Sequence, residues 1–243
     1  MSSSSSLRAL APRGWREWGM VVPGLFLGAS VALVTFDPLV LFSFHPTAMA
    51  LGYGALMTPG AFLALKLRGA PGPALRVAGL WAHAALQTAA SAACFGGLVA
   101  IVANKTIKRK PHLVSLHATL GAASLLLALC ALASGAGAFR ALGIWDRLPD
   151  RVKPLAKRAH RNLGFAAWVA GQAAAMIALN LPSTERHAGG TAWPNAWRAA
   201  ILVSVACAAS LKLHTPSLKR DAEEGFAGGG GGVGSGEGRR GTP

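Results

Sequence analysis

The 243-residue chain is 52% hydrophobic and only 14% charged, with a formal net charge of +15. A soluble domain has about a quarter of its residues charged, so this composition excludes an ordinary soluble fold. The positive charge does not indicate nucleic-acid binding, because the basic residues flank apolar stretches and no aromatic–basic reading motif accompanies them.

Six apolar segments follow one another along the chain, and five of them contain no Asp, Glu, Lys or Arg. A bilayer-spanning helix needs about 20 mostly apolar residues. The segments are rich in Ala and Leu and do not alternate, so they predict helices rather than barrel strands. The sixth is weaker because it contains Arg198, although a long side chain near a helix end can reach the headgroups. The predicted spans cover residues 20–36, 39–65, 77–103, 113–139, 162–181 and 193–211.

These spans predict one membrane-embedded domain, residues 20–214. Residues 1–19 form a short polar segment before it, and residues 215–243 form a Gly-rich tail that cannot bury a core and is expected to be disordered. With both termini on one side, that side receives 18 of the 24 Lys and Arg residues. The positive-inside rule therefore predicts that both termini are cytoplasmic. The basic link 104–110, on the opposite side, is the one discordant segment.

Four of the seven histidines lie in or next to these spans at matched depths. His45 and His117 lie near the starts of the second and fourth spans, roughly 6–9 Å along helices that both enter from the non-cytoplasmic side. His83 and His160 lie near the starts of the third and fifth spans, which enter from the cytoplasmic side. The pattern predicts one histidine pair near each membrane face.

Two imidazoles on facing helices are ligands that haem iron accepts, and helical bundles build cofactor sites in this way. Small residues would leave room for a porphyrin, and Gly52, Gly121 and Gly164 lie one or two turns after His45, His117 and His160. Taken alone, the pattern leaves two alternatives open. The histidines could form the relay of a proton-coupled transporter, or hydrogen bonds in a haem-free structural membrane protein.

Four fragments around these histidines carry a family resemblance: FHPTAMALGYGALM (44–57), WAHAALQ (81–87), KPHLVSLHATLG (110–121) and AHRNLGFAAW (159–168). They resemble the cytochrome b561 family, and most closely its short stand-alone cytochrome b561 domain-containing proteins. The resemblance implies an all-α integral membrane protein of six transmembrane helices, with helices 2–5 as a four-helix bundle around two haem b groups. His45 and His117 would ligate the non-cytoplasmic haem, and His83 and His160 the cytoplasmic haem.

The resemblance also implies a transmembrane, ascorbate-dependent ferrireductase in an endomembrane (endoplasmic reticulum or vesicle) or the plasma membrane. Cytoplasmic ascorbate would be the donor, with ferric iron or monodehydroascorbate as the acceptor. Partners are the lipid bilayer and these substrates, with no nucleic acid, and a homodimer is left open. Classical members of the family have a second histidine shortly after the ligand on the third helix, and here Gln87 stands in that region.

Substrate contacts are predicted less directly by the resemblance. Four basic residues near the cytoplasmic face are candidates for ascorbate binding, although topology alone also explains their charges. His112 resembles a substrate-side histidine of the non-cytoplasmic face and is equally well explained as a solvated residue at a helix start. The four basic candidates are Lys66, Arg68, Arg76 and Lys157.

Overall fold

Six long helices dominate the computed structural model, which describes residues 10–69, 73–138 and 143–214. The described residues contain no β-strand, so the expected all-α fold is confirmed for them. The predicted tail, residues 215–243, lies outside the described part. The helices are α1 (Trp15–Thr35), α2 (Leu41–Lys66), α3 (Pro73–Ile107), α4 (Leu116–Ala138), α5 (Lys153–Ala178) and α6 (Ala192–His214). Short helices Ile144–Arg147 and Pro182–His187 precede α5 and α6.

Five of the six long helices, all except α5, are long and apolar enough to cross a bilayer. The sequence predicted that the last span, α6, would be the least apolar of the six, but in the structure it is α5 that is not apolar enough. The reason is that α5 begins at Lys153, well before the charge-free stretch, and carries Arg161 and Gln172. Arg198 in α6 instead donates to the carbonyl of Leu179, just past the end of α5. A cation at a helix C-terminus satisfies carbonyls that have no partner within the helix.

The second helix changes its winding in the middle. The α-helical segments Phe44–Met49 and Thr58–Lys66 flank a π-helical segment, Ala50–Met57. Gly54 in this segment faces Gly24 of α1 so closely that a Cβ on either would lie within 3.0 Å of the other's backbone oxygen. π-helical segments are rare in proteins and are frequent at functional sites.

The six helices are arranged as two hairpins and a supporting pair. α2 packs against α3 to form the first hairpin, and α4 packs against α5 to form the second. α1 packs against α2 and α6. Two hydrogen bonds tie α6 to α1: Ser204 Oγ donates to the Met20 carbonyl (2.8 Å), and Trp197 Nε1 donates to Ser30 Oγ (2.9 Å). The four histidines lie on the two hairpins: His45 and His83 on the first, and His117 and His160 on the second.

Candidate cofactor site

The four histidines come together as two pairs, each joining one helix of the first hairpin to one helix of the second. His45 of α2 and His117 of α4 have ring centroids 6.1 Å apart and planes inclined by 82°. His83 of α3 and His160 of α5 also have centroids 6.1 Å apart, with planes inclined by 90°. The structure thus brings together the same pairs that the depth of the residues predicts.

Each imidazole is anchored by its Nδ1 atom to a backbone carbonyl of the other helix in its own hairpin. A carbonyl oxygen can only accept a hydrogen bond, so each Nδ1 carries the proton and donates. Each Nε2 then keeps its lone pair, which is the form of histidine that ligates a metal. The four bonds run from His45 to Gly97 (3.0 Å), His83 to Gly60 (2.8 Å), His117 to Ala174 (2.9 Å) and His160 to Ala131 (2.8 Å).

The spacing within each pair suits one metal ion between two imidazoles. With a metal–nitrogen bond of about 2.0 Å and a ring centre about 1.1 Å from its nitrogen, the two centroids would be about 6.2 Å apart. Both pairs have a separation of 6.1 Å. The two Nε2 atoms of a pair cannot hydrogen bond to each other, because neither carries a proton. The residues present would therefore fit a metal ion held between the two imidazoles of a pair.

The rest of the metal's coordination would have to come from elsewhere. Among the described residues, no group of three or more His, Cys, Asp or Glu side chains could hold a metal ion. Two imidazoles alone leave a metal ion with open positions. A porphyrin supplies four equatorial nitrogens and leaves two axial positions, so this donor set fits haem iron better than zinc.

Open space lies beside two of the histidines. A Cβ built on Gly121, one turn after His117, would meet nothing within 4 Å, and one on Gly164, one turn after His160, would meet only an alanine Cβ at 3.8 Å. Gly52 was expected to leave room for a porphyrin, but its surroundings are tightly packed. A Cβ there would lie 2.3 Å from the Sγ of Cys94, so this glycine allows close packing of α2 on α3.

Gly135 of α4 lies directly against the ring of His160. A Cβ on this glycine would lie 2.7 Å from His160 Cε1 and 3.0 Å from its Nδ1. Real Cβ atoms do not approach other atoms so closely. The imidazole therefore occupies a place that only a glycine leaves free, and Gly135 is a site residue that the sequence pattern did not single out.

The four basic candidates for ascorbate binding have different surroundings. Lys66 forms an ion pair with Glu17 (2.7 Å), so its charge is already neutralised. Arg76 and Lys157 are exposed. Arg68 is partly buried, and its Nε atom is buried without a hydrogen-bond partner in the part of the chain that the structure describes. Of the four, only Arg68 has a buried side-chain nitrogen that lacks a hydrogen-bond partner among the described residues.

Two further cations lie near Arg68. Burial, and then the charge of Arg161, lower the pKa of Arg68, so the two guanidinium groups repel each other. Lys212 of α6 is also within electrostatic reach of Arg68, and its Nζ lies 3.7 Å from the centre of the Phe165 ring. Arg161 and Lys212 were missed at the sequence level, although the position of Arg161 directly after His160 was a usable signal.

His112 lies in an exposed turn between α3 and α4, with its Nε2 3.4 Å from Thr106 Oγ1. Lys105, in the last turn of α3, donates to the Pro111 carbonyl (3.1 Å) and lies within electrostatic reach of His45. The C-terminal end of α3 is therefore near His45.

The paired histidines lie in a part of the chain that matches a known protein family. The family model described as eukaryotic cytochrome b561 matches residues 44–184, more than half of the chain. The matched range starts within α2, includes all four paired histidines and ends before α6. A search of curated proteins found no match.

Proposed function

The chain belongs to the cytochrome b561 family, and from this premise we propose that its four paired histidines hold two haem b groups that carry electrons from cytoplasmic ascorbate to ferric iron or monodehydroascorbate on the other side. The family consists of multi-pass membrane oxidoreductases that bind b-type haem. The observation that carries the proposal is the equal 6.1 Å spacing of two histidine pairs, each with Nδ1 protonated by its hydrogen bond. His83 and His160 would hold one haem, and His45 and His117 the other.

The two pairs lie at different heights in the bundle, and this separation supports a transmembrane path. On α4, fourteen residues separate His117 from Ala131, whose carbonyl anchors His160. At 1.5 Å per residue this is about 21 Å, against a hydrocarbon core of about 30 Å. Each pair would then lie near one membrane face.

The chain's own contribution is position and environment. The haem supplies reversible one-electron chemistry when bound. The backbone carbonyls fix the tautomer and orientation of each imidazole, and a hydrogen bond of this kind also raises the basicity of the ligand nitrogen. Gly121 and Gly164 leave space beside the ligands.

The donor would bind at the cluster of Arg68, Arg161 and Lys212, which we place on the cytoplasmic side. Ascorbate is an anion at neutral pH. An anion between these side chains would offset the burial of the Arg68 charge, which is the main cause of its lowered pKa, and the weaker repulsion by Arg161. No ion pair neutralises any of the three within the described residues. Because Arg161 directly follows His160, an anion bound there would lie next to the haem of that pair.

The acceptor would approach the opposite end of the bundle. His112 is exposed in the turn that follows α3, and Lys105, in the last turn of α3, lies within electrostatic reach of His45. A basic surface there attracts anionic acceptors, such as ferric chelates. This role would also account for a basic link on the side that the positive-inside rule leaves poor in Lys and Arg.

The proposal is tested by measuring haem in the purified full-length protein. A pyridine haemochrome assay against protein concentration is expected to give two haems per chain, and a reduced-minus-oxidised spectrum should show a b-type signal after ascorbate is added. A ratio near zero would leave the transporter and structural alternatives. A ratio near one would remove one histidine pair from the proposal.

A further inference from the structure

The two hairpins also meet halfway between the histidine pairs. On α4, Ser124 is seven residues from His117 and seven from Ala131, whose carbonyl anchors His160. On α5, Ala167 is seven residues from His160 and likewise seven from Ala174, whose carbonyl anchors His117. This level lies about 10 Å from each pair. We call it the middle layer, formed by Tyr53, Thr58, Ser124 and Trp168.

Hydrogen bonds in the middle layer run in two short chains. Ser124 Oγ donates to the Ala167 carbonyl (2.7 Å), so it must accept the bond from the Tyr53 hydroxyl (2.6 Å). Trp168 Nε1 donates to Thr58 Oγ1 (2.9 Å), which donates to the Tyr53 carbonyl (2.7 Å). All four residues are buried: Tyr53 is 7% exposed, and the other three are fully buried. Buried networks in which every donor is satisfied hold their members rigidly.

The position of the Tyr53 ring is fixed by its packing. A Cβ built on Gly171 of α5 would lie 2.2 Å from Tyr53 Cε1, so the ring lies directly on the backbone of α5. Tyr53 belongs to the π-helical segment of α2, and Thr58 follows that segment directly. The irregular winding of α2 therefore occurs where this helix contacts the second hairpin.

Two side-chain hydrogen bonds of the middle layer cross from one hairpin to the other. Within the described residues, only the Tyr53–Ser124 and Trp168–Thr58 side-chain bonds join a helix of the first hairpin to a helix of the second. The histidine Nδ1 bonds stay inside one hairpin. The hairpins are thus tied together in the middle, whereas at the histidine levels they are separated by the space that a metal would occupy.

We propose that the middle layer is a positioning clamp that sets the separation of the hairpins and thereby the gap within both histidine pairs at once. The inference rests on the proposed function, because the gap matters only when iron lies in each pair. Stiff helices that are fixed to one another at their midpoint transmit a change there to both ends. A defect in the clamp therefore affects both haems together, whereas a change at one histidine affects one.

The chain contains a matched control for this test. Thr58 and Ser30 each accept a bond from a buried tryptophan Nε1 at 2.9 Å and donate to a carbonyl of their own helix. Ser30, however, joins α1 to α6 and lies outside the two hairpins. Thr58→Val and Ser30→Ala each leave a buried indole N–H unpaired, and each should lower the thermal unfolding temperature of the full-length haem protein.

The deciding measurements are the rate at which each haem transfers to excess apo-globin and the low-spin electron paramagnetic resonance signal of each haem. Thr58→Val should speed loss of both haems roughly fivefold, the factor that one hydrogen bond is worth, and shift both signals. Ser30→Ala should leave both at wild-type values. Tyr53→Phe, which keeps the ring on Gly171, should shift both signals in the same way as Thr58→Val.

The clamp is overturned if Thr58→Val and Tyr53→Phe behave like Ser30→Ala, or if they affect one haem only. Failure of the proposed function has a different signature, because the wild-type protein would then contain no haem. Two haems in the wild type combined with unaltered signals in both clamp variants would remove the clamp and leave the electron carrier intact.

Discussion

Gly135→Ala places a methyl group against the ring of His160, and we expect it to disturb one haem site and spare the other. The new Cβ would lie 2.7 Å from His160 Cε1. Carbon atoms in contact are normally about 3.5–4.0 Å apart, so the ring must move by roughly 0.8 Å or more. Such a movement would stretch or bend the 2.8 Å bond between His160 Nδ1 and the Ala131 carbonyl.

The size of the effect follows from the packing. Overpacking of a tight site costs about 1–3 kcal/mol, which corresponds to roughly 5-fold to 150-fold weaker haem binding at the His83–His160 pair. The other pair uses no atom of Gly135, so its haem should bind as in the wild type. The assay is haem content and haem-loss rate of purified protein, followed at the absorption bands of each haem.

Gly137→Ala is the matched control for this substitution. It lies two residues further along α4, and a Cβ there would meet nothing within 4 Å. Both substitutions exchange glycine for alanine in the same helix and gain about the same helix propensity, up to 1 kcal/mol. Gly137→Ala should retain both haems. The reasoning is refuted if Gly135→Ala binds both haems as tightly as Gly137→Ala does, or weakens both sites equally.

Three further predictions concern the path, its direction and its donor. His83→Ala should abolish fast reduction by cytoplasmic ascorbate, whereas His117→Ala should keep that reduction and block transfer to an external ferric chelate; identical behaviour of the two folded variants would contradict the two-site assignment. A C-terminal tag in sealed vesicles should be accessible to protease from the cytoplasmic side, and a protected tag would exchange the donor and acceptor faces. Arg68→Gln should raise the KM for ascorbate roughly tenfold, as expected for a charged hydrogen bond, with little change in haem content. Lys66→Gln, whose charge is paired with Glu17, is the comparison, and an equal rise in KM would remove the assignment of Arg68.

Much of the fold could be predicted because lipid imposes a simple rule on the chain. A backbone without water must satisfy its own hydrogen bonds, so a long apolar run predicts a helix without knowledge of its neighbours. Hydropathy fails where a polar side chain finds a partner elsewhere. Arg198 made α6 look weak, yet its guanidinium binds the Leu179 carbonyl beyond α5. The role of Gly52 could not be predicted either, because the residue packed against it, Cys94, lies on a different helix.

The sequence alone predicted which histidines pair, because helical rise and alternating entry convert residue number into height, and the structure has the same pairs. The sequence did not determine which side chains meet across helices at a given height. Tyr53 and Ser124 are 71 residues apart, and Trp168 and Thr58 are 110 residues apart, yet each pair shares a hydrogen bond. Such contacts depend on the rotation of each helix about its axis. That rotation is set by how all the helices pack together, so only the tertiary structure decided the middle layer and the cations around Arg68.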